Sequence, residues 1–212
     1  AYSEKIADYL AGSGFREIFT NSITNSAYYG QDVLQRTVKM INNLSEELNI
    51  MRPAMMETGL ESIAYNLNRK NNDLKFFEFG KTYSVDENGN YIESNHLALY
   101  ITGNTNPGSW KAKAQKTDFF FAKAVLEKII NLLGLKVDAY MPSENAGLSD
   151  CLQALINKEP VAQIGMAGTK KLEYFDIKQP VFYVDLDWDK LLLLNKKTNI
   201  RYQEISKYPA VN

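Results

Sequence analysis

Hydrophobic and polar residues alternate most clearly between residues 74 and 102, where the pattern predicts a β-hairpin. Residues 74–86 read LKFFEFGKTYSVD, with aromatic side chains at both odd and even positions. A period of two indicates a strand, and aromatic residues on both of its faces indicate a sheet covered on both sides. The sequence NGN at 88–90 predicts the turn, and residues 96–102 alternate again as the partner strand.

Helical spacing of hydrophobic residues predicts three longer helices and a short terminal one. The first covers residues 3–11, with Ile6 and Leu10 on one face. The second begins near Pro53, a residue favoured in the first helical turn, and ends before residue 71. The third helix covers 118–133, and the terminal helix covers 187–194.

The remaining segments predict further strands, short turns and loops. Their order mixes strands and helices without regular β-α-β alternation, which favours an α+β fold with an antiparallel sheet flanked by helices. The predicted strands are 15–23, 38–41, 152–157, 161–166 and 181–187, the helical turns 25–29 and 170–175, and the loops 103–116 and 142–147.

Composition and charge exclude several classes of protein. The chain has 212 residues, and 24 Lys and Arg against 25 Asp and Glu give a net charge of -1, which is no electrostatic footprint for nucleic acid. Cys151 is the single cysteine, so no internal disulfide forms and a cytoplasmic location is expected. No apolar run approaches the roughly 20 residues that a membrane span needs.

Candidate catalytic residues are few. His96 is the single histidine, so a Ser-His-Asp or Cys-His mechanism depends on it, but an ordinary strand residue is the favoured interpretation. Asp185 and Asp187 share a face of a predicted strand and suit Mg²⁺, although Asp187 as a helix cap is favoured. A buried structural thiol is favoured for Cys151. The sequence contains no phosphate-binding loop motif.

A longer pattern resembles a known family. Residues 51–83 read MRPAMMETGLESIAYNLNRKNNDLKFFEFGKTY, and residues 42–47 read NNLSEE, with Asn43 where the family has proline. These segments, with the SKYPAV run at 206–211, resemble the catalytic-like core domain of the phenylalanyl-tRNA synthetase beta subunit. The resemblance covers nearly the whole chain.

The resemblance implies a class II aminoacyl-tRNA synthetase fold with degenerate motifs. It places the catalytic-like domain in residues 1–195 and a polar linker toward a following domain in 196–212. We therefore interpret the chain as a fragment of a longer polypeptide. The implied function is that of a non-catalytic domain of the ligase beta subunit, which supports assembly with the catalytic alpha subunit.

The resemblance also implies that catalytic residues are missing. In active class II synthetases a strand ends in an aromatic-Arg-x-Glu run whose arginine binds the ATP α-phosphate; here Ser84 stands at the arginine position. Serine lacks the charge and the fork of donors of a guanidinium. No catalytic, cofactor-binding or metal residue is therefore expected, and ATP and Mg²⁺ belong to the alpha subunit. We expect no phenylalanine activation by the isolated chain, and no restoration by Ser84→Arg.

Five residues are candidates for a structural role. Phe77 and Phe79 are expected in the core of the strand, and Gly80 predicts a β-bulge or the close approach of another element. Arg52 either contacts a partner subunit or tRNA, or forms an ion pair with Glu78 or Glu57, and the ion pair is favoured.

The first helix is the candidate interface. Ser3, Ala7 and Ala11 are spaced by four and form a stripe of small residues, next to the bulky stripe of Ile6 and Leu10 with Tyr9. Small side chains allow close approach of another helix. The hypothesis is that this stripe meets the alpha subunit in an (alpha-beta)2 enzyme that binds tRNA; the alternative is that the stripe faces water.

Two functions of other classes stay open. One is an independent small-molecule-binding enzyme that uses the cleft of the same sheet. The other is a module that contacts tRNA directly, although the neutral net charge is unfavourable for it.

Overall fold

A computed structural model describes residues 2–42, 45–106, 108–145 and 147–196. The predicted linker, apart from Lys196, lies outside the described residues. The helices are α1 (Tyr2–Gly12), α2 (Gln31–Leu34), α3 (Met56–Leu67), α4 (Phe119–Leu132), α5 (Thr169–Tyr174) and α6 (Trp188–Lys196), with a 3-10 turn at Ser26–Tyr28. None of these described helices is long and apolar enough to cross a membrane.

The strands are β1 (Arg16–Glu17), β2 (Ile23–Thr24), β3 (Ile50–Met51), β4 (Leu74–Val85), β5 (Tyr91–Thr102), β6 (Asn104–Asn106), β7 (Gln115–Lys116), β8 (Ala139–Pro142), β9 (Leu148–Ile156), β10 (Glu159–Ala167) and β11 (Val181–Asp187). Seven of them form one sheet in the order β1-β4-β5-β11-β10-β9-β8. Only β1 pairs in parallel; the other pairs of this sheet are antiparallel. The predicted α+β class is confirmed.

The central hairpin of β4 and β5 is longer than predicted. Its register is unbroken from Leu74 opposite Thr102 to Val85 opposite Tyr91. The partner strand thus begins five residues before the predicted start at His96. Residues 91–95 are polar or exposed and lack the alternating pattern of the buried half, which is why the sequence pattern missed them.

Two hydrophobic clusters cover the two faces of the sheet, as the aromatic pattern predicted. On one face, Phe77 and Leu99 pack with α1, α4 and α6. On the other face, Phe76 and Tyr100 pack with the buried side of α3. Residues of adjacent positions in β4 therefore point to opposite faces, and both faces are buried.

Helix ends and buried stripes follow the predicted chemistry. The Asp118 side chain accepts a hydrogen bond of 2.8 Å from the Phe121 N–H and caps α4. Gly134 follows α4 with a φ of +71°, the left-handed conformation in which helices commonly end. In α1, Ile6 and Leu10 are fully buried.

The region before α3 differs from the prediction. The predicted strand 15–23 contains only the two-residue strand β1 and the first residue of β2. Near Thr20 the chain leaves the sheet edge, and the Thr20 hydroxyl binds Glu78 on one face of the sheet. The predicted strand 38–41 is not a strand; Lys39 makes a single bridge to Ile50.

The structure contains further short helices and strands in segments for which the sequence predicted a loop or no regular element. Helix α2 was not predicted, and the predicted loop 103–116 contains both β6 and β7. The strand β8 precedes and enters the predicted loop 142–147. All of these elements are short and mostly exposed, so they carry little hydrophobic pattern.

The core position of Phe77 makes a stability prediction. Phe77 is 1% exposed, whereas Phe79 is half-buried. Phe77→Ala should lower the free energy of unfolding by about 3–5 kcal/mol because it leaves a cavity in a packed core, and Phe79→Ala should cost less. Urea unfolding followed by circular dichroism measures both. Tyr91→Ala on the same hairpin, at 76% exposure, is the matched control; equal losses for Phe77→Ala and this control would contradict the assignment.

Candidate functional site

Polar side chains gather on one face of the central strands, here called the polar face and defined by Glu78, Thr82, His96 and Asp185. Glu78 and Thr82 come from β4, His96 from β5 and Asp185 from β11. Gly80, His96 and Asp187 lie opposite one another in register, so strand alternation places these side chains on the same side of the sheet.

A buried ion pair lies at the centre of the polar face. Arg52 Nη1 and Glu78 Oε1 are 3.0 Å apart, and the side chains are 2% and 1% exposed. The Arg52 Nε–H donates to the Lys81 carbonyl at 2.8 Å. The Thr20 hydroxyl donates to Glu78 Oε2 at 2.8 Å. The pair proposed from the sequence is present, and its extra hydrogen bonds offset the cost of removing two charges from water.

The main chain of Arg52 adds two hydrogen bonds to the same junction. Its N–H donates to the Ser22 carbonyl at 2.8 Å, and its carbonyl accepts from the Tyr83 N–H at 3.0 Å. Side chain and backbone of one residue thus join the segment before β2, the start of α3 and the strand β4.

Two glycines let this segment and α3 lie directly on the sheet. A β-carbon at Gly80 would collide with the Arg52 guanidinium and the Met55 side chain, and one at Gly59 would collide with the Tyr100 ring. Since the register of β4 is unbroken at Gly80, the close approach is the correct alternative and the β-bulge is wrong. Gly59 went unnoticed in the sequence, because its neighbour Tyr100 is 41 positions away.

Two further side-chain hydrogen bonds connect the adjacent strands β4, β5 and β11. Thr82 Oγ1 lies 3.0 Å from His96 Nε2, and His96 Nδ1 lies 2.7 Å from Asp185 Oδ1. The order hydroxyl, imidazole, carboxylate is the order of contacts in a hydrolytic triad. Here all three residues lie in paired strands of the sheet, so these hydrogen bonds link β4, β5 and β11 through their side chains.

The pKa of His96 is raised above its ordinary value of 6.5. Burial alone lowers it, but the hydrogen bond and charge of Asp185 outweigh burial, with additional attraction from Asp187 and Asp189. The folded protein therefore favours the protonated imidazolium more than the unfolded chain does.

The proposed magnesium pair is occupied by other partners. Asp185 accepts the hydrogen bond from His96. Asp187 Oδ1 accepts from the Lys190 N–H at 3.0 Å at the start of α6, which is the capping role favoured from the sequence. Among the described residues, no group of three or more His, Cys, Asp or Glu side chains is placed to hold a metal ion.

The polar face does not fit a nucleoside triphosphate. Ser84 lies half-buried on β4 opposite Ile92, on the same face as Glu78 and Thr82. The guanidinium that is buried on this face belongs to Arg52, and it donates hydrogen bonds to Glu78, Thr20 and Lys81. No free guanidinium among the described residues of the polar face is available for an α-phosphate.

A second buried charge pair beside the polar face was missed by the sequence reasoning. Glu57, at the start of α3, lies 2.6 Å from Lys171 of α5, and their side chains are 5% and 22% exposed. Lys171 also donates to the Tyr28 carbonyl at 2.6 Å. The one feature of the sequence that could have indicated this pair is the glutamate in the run MMETGL. Its position falls on the buried side of an amphipathic helix, where a carboxylate needs a partner.

The candidate interface residues on α1 differ in burial. Ser3 and Ala11 are exposed, whereas Ala7 is half-buried and packs against the hydrophobic cluster around Phe77. Only the two ends of the small-residue stripe are therefore open to solvent in this chain.

Solved structures share this architecture. Two structures of pyrrolysyl-tRNA synthetase from Desulfitobacterium hafniense superpose on the chain with a TM-score of 0.71 each. Each superposition covers 93% of this chain; it covers 68% of the first solved chain and 69% of the second. The sequence identities are 17% and 16%. The fold is that of the catalytic domain of class II aminoacyl-tRNA synthetases.

Sequence relatives narrow this class to one family. The family model for the phenylalanyl tRNA synthetase beta chain CLM domain matches residues 1–188, and the chain belongs to that family. Phenylalanine–tRNA ligase beta subunits from Bacteroides fragilis and Thermotoga maritima are 39% and 30% identical to it, over 97% and 99% of the chain. The chain spans 27% of the length of both relatives.

The buried pair makes a testable prediction. Arg52→Met should lower the free energy of unfolding by about 3–5 kcal/mol, because it leaves the Glu78 carboxylate buried without its partner. Arg52→Met combined with Glu78→Met should cost less than Arg52→Met alone, since neither charge is then left unpaired. Chemical denaturation of the three proteins gives the comparison.

The exposed pair of Lys81 and Glu93 on the same hairpin, 47% and 56% exposed, supplies the control. Lys81→Met should have a much smaller effect, because water screens this pair. A double variant less stable than Arg52→Met would show that the pair is not what stabilises the junction.

The His96 pKa makes a prediction on pH dependence. Because folding raises this pKa, the stabilisation is complete below pH 6.5, the unfolded value, and is lost as the pH rises through the folded value. The difference in unfolding free energy between the wild type and His96→Gln should therefore shrink from pH 6 to pH 9. Denaturation at several pH values measures it, with Asp185→Asn expected to flatten the profile similarly. A difference that grows with pH would contradict the role of Asp185.

Proposed function

We propose that this chain is a non-catalytic, catalytic-like domain of a phenylalanine–tRNA ligase beta subunit, and that its work is assembly with the catalytic alpha subunit. The observation that carries the proposal is the state of the polar face. Where the fold family has an arginine for the nucleotide, this chain has Ser84, and the buried guanidinium of this face, that of Arg52, is paired with Glu78.

The family supports the rest of the proposal. The relatives are named phenylalanine–tRNA ligase beta subunit, and the chain matches about a quarter of each of them. In the proposed enzyme, an (alpha-beta)2 assembly in the cytoplasm attaches phenylalanine to its tRNA. ATP and Mg²⁺ act at the alpha subunit, because the described residues of this chain offer no anchor for a triphosphate.

The comparisons give no support to an independent enzyme or to a separate tRNA-binding module. A fold that keeps the sheet and loses the anchors of the active site is suited to binding a partner rather than to chemistry. Its core does not depend on a ligand, since hydrophobic side chains cover both faces of the sheet.

The proposed contact with the alpha subunit is the exposed side of α1. Ser3 and Ala11 are exposed, and the helix is anchored by Ile6 and Leu10, which are fully buried. A helix fixed by one stripe and bare on the other presents a rigid surface to a partner, so little conformational entropy is lost on association.

Charge on this surface tests the proposal. Ser3→Glu with Ala11→Glu, in the beta subunit that contains this chain, should weaken association with the alpha subunit at least about tenfold, because unpaired carboxylates would be buried in the contact. Binding is measured by surface plasmon resonance. Ala7 is left unchanged because it packs on the core.

The matched control is Ala124→Glu, the same change at an exposed position of α4. It should leave association unchanged. The double variant and the control should have similar melting temperatures. If the double variant assembles with wild-type affinity, the exposed side of α1 is not the interface.

A further inference from the structure

A short hairpin lies between β5 and α4, outside the seven-stranded sheet, and is here called the arm. It consists of β6, β7 and the turn of residues 108–114 between them. The two strands pair in antiparallel register, and the Thr117 N–H donates to the Gly103 carbonyl at 2.9 Å where the arm joins the domain. Residues 108–114 are all exposed, so the arm is held by hydrogen bonds and hardly by burial.

An aromatic ring lies in the turn of the arm. Trp110 is 97% exposed. The turn is closed by Ser109, whose N–H donates to the Ala112 carbonyl at 2.8 Å and whose hydroxyl oxygen accepts from the Ala112 N–H at 3.1 Å. Tryptophan is among the residues enriched where binding energy is concentrated. A tryptophan in a closed turn is therefore held on the surface before a partner arrives.

The arm carries positive charge only. Residues 103–117 contain no Asp or Glu and three lysines, Lys111, Lys113 and Lys116. Among the described residues, none of the three forms an ion pair with a carboxylate. The net charge of -1 for the whole chain thus conceals a local concentration of unpaired ammonium groups.

A cavity of about 330 Å³ at the base of the arm adds a fourth lysine. Lys75 of β4 and Lys116 of the arm both line it. The Lys75 ammonium donates to the Thr105 carbonyl at 3.4 Å and lies 5.8 Å from the centre of the Phe121 ring. Asp118 supplies one carboxylate to the lining, and this side chain already caps α4. Two ammonium groups against one carboxylate leave the excess of positive charge that suits a phosphate.

The combination of a bare aromatic ring and unpaired lysines selects the kind of partner. In single-stranded nucleic acid the bases stack on exposed aromatic rings, and ammonium groups neutralise the phosphates along the strand. A duplex keeps the faces of its bases stacked inside the helix, and an acidic peptide has no bases. The chemistry of the arm therefore fits a strand with unpaired bases.

We propose that the arm binds an unpaired segment of nucleic acid. One base stacks on the ring of Trp110, and neighbouring phosphates pair with the ammonium groups of Lys75, Lys111, Lys113 and Lys116. In the proposed enzyme this segment belongs to tRNA, so the identity of the strand rests on the proposed function. The contact contributes to the tRNA surface of the whole enzyme and is not a separate tRNA-binding module.

Intrinsic fluorescence reports the stacking. The chain has two tryptophans, and Trp188 is 5% exposed, so a base that stacks on Trp110 quenches the exposed one. An oligouridylate of about 12 nucleotides, titrated into the full chain at low salt, should quench this fluorescence and bind at least about tenfold more tightly than a polyglutamate of equal length. No binding of oligouridylate, or equal binding of polyglutamate, would overturn the proposal.

Two variants separate stacking from charge. Trp110→Ala should weaken oligouridylate binding about tenfold without changing its salt dependence, because it removes one stacked base. Lys111→Gln with Lys113→Gln should make the plot of log affinity against log salt about half as steep, since two of four phosphate contacts are lost. Fluorescence anisotropy of a labelled oligouridylate measures both. A double variant with the wild-type salt dependence would contradict the lysine contacts.

Matched controls test whether the arm is the site. Phe19→Ala removes a ring that is 96% exposed in the segment after β1. Lys128→Gln with Lys136→Gln removes two exposed lysines, one on α4 and one after it. The ring control should keep the wild-type affinity, and the lysine control should keep the wild-type salt dependence. Losses equal to those of the arm variants would show that the arm is not the site.

Association with the alpha subunit separates this proposal from the proposed function. In the beta subunit that contains this chain, Trp110→Ala should leave that association unchanged. If Trp110→Ala weakens it instead, the arm serves a protein partner and the nucleic-acid contact is wrong. If the alpha subunit does not associate at all while oligouridylate still binds, the role in assembly fails and the contact of the arm stands.

Discussion

The contact between Arg52 and Glu78 is the interaction on which the arrangement of this domain depends. Two opposite charges lie 3.0 Å apart with almost no exposure to water. Desolvation makes such a pair costly unless every remaining donor and acceptor finds a partner. Here the Thr20 hydroxyl donates to Glu78 and the Lys81 carbonyl accepts from Arg52, and these two groups come from different segments. The requirement to satisfy one buried pair therefore fixes the positions of the segment around Thr20, the entry to α3 and the strand β4 relative to one another.

The same constraint bears on how the synthetase fold would serve the non-catalytic role proposed above. A nucleotide site needs guanidinium groups that are free to meet phosphates and a face of the sheet that is open to the substrate. In this chain the guanidinium of Arg52 is paired with the buried Glu78. Gly80 and Gly59 allow Arg52, Met55 and the Tyr100 ring to approach closely, so that α3 packs on this face of the sheet. A scaffold with both faces of its sheet covered is suited to a structural role in a larger enzyme.

Sequence reasoning was reliable where the pattern is local and repeated. The hairpin around Phe77 and the capped helix that begins after Asp118 follow from alternation, helical spacing and one capping side chain. The short strands and α2 were missed because they are exposed and have no hydrophobic period. Glu57 and Lys171 were missed for another reason: 114 positions separate them, and only the fold brings them together. A pairing between distant charges leaves no trace in a single sequence.

The absence of a side chain at Gly59 leaves the space that the Tyr100 ring fills. The Tyr100 ring lies where a side chain at position 59 would stand, and its hydroxyl donates to the Met55 carbonyl at 2.6 Å, one turn earlier in the chain. The size of one residue therefore sets the size of the other, although they belong to a helix and a strand. In evolution these two positions form one unit. A larger residue at 59 becomes acceptable only after the ring at 100 has become smaller, and the order of those two changes is fixed.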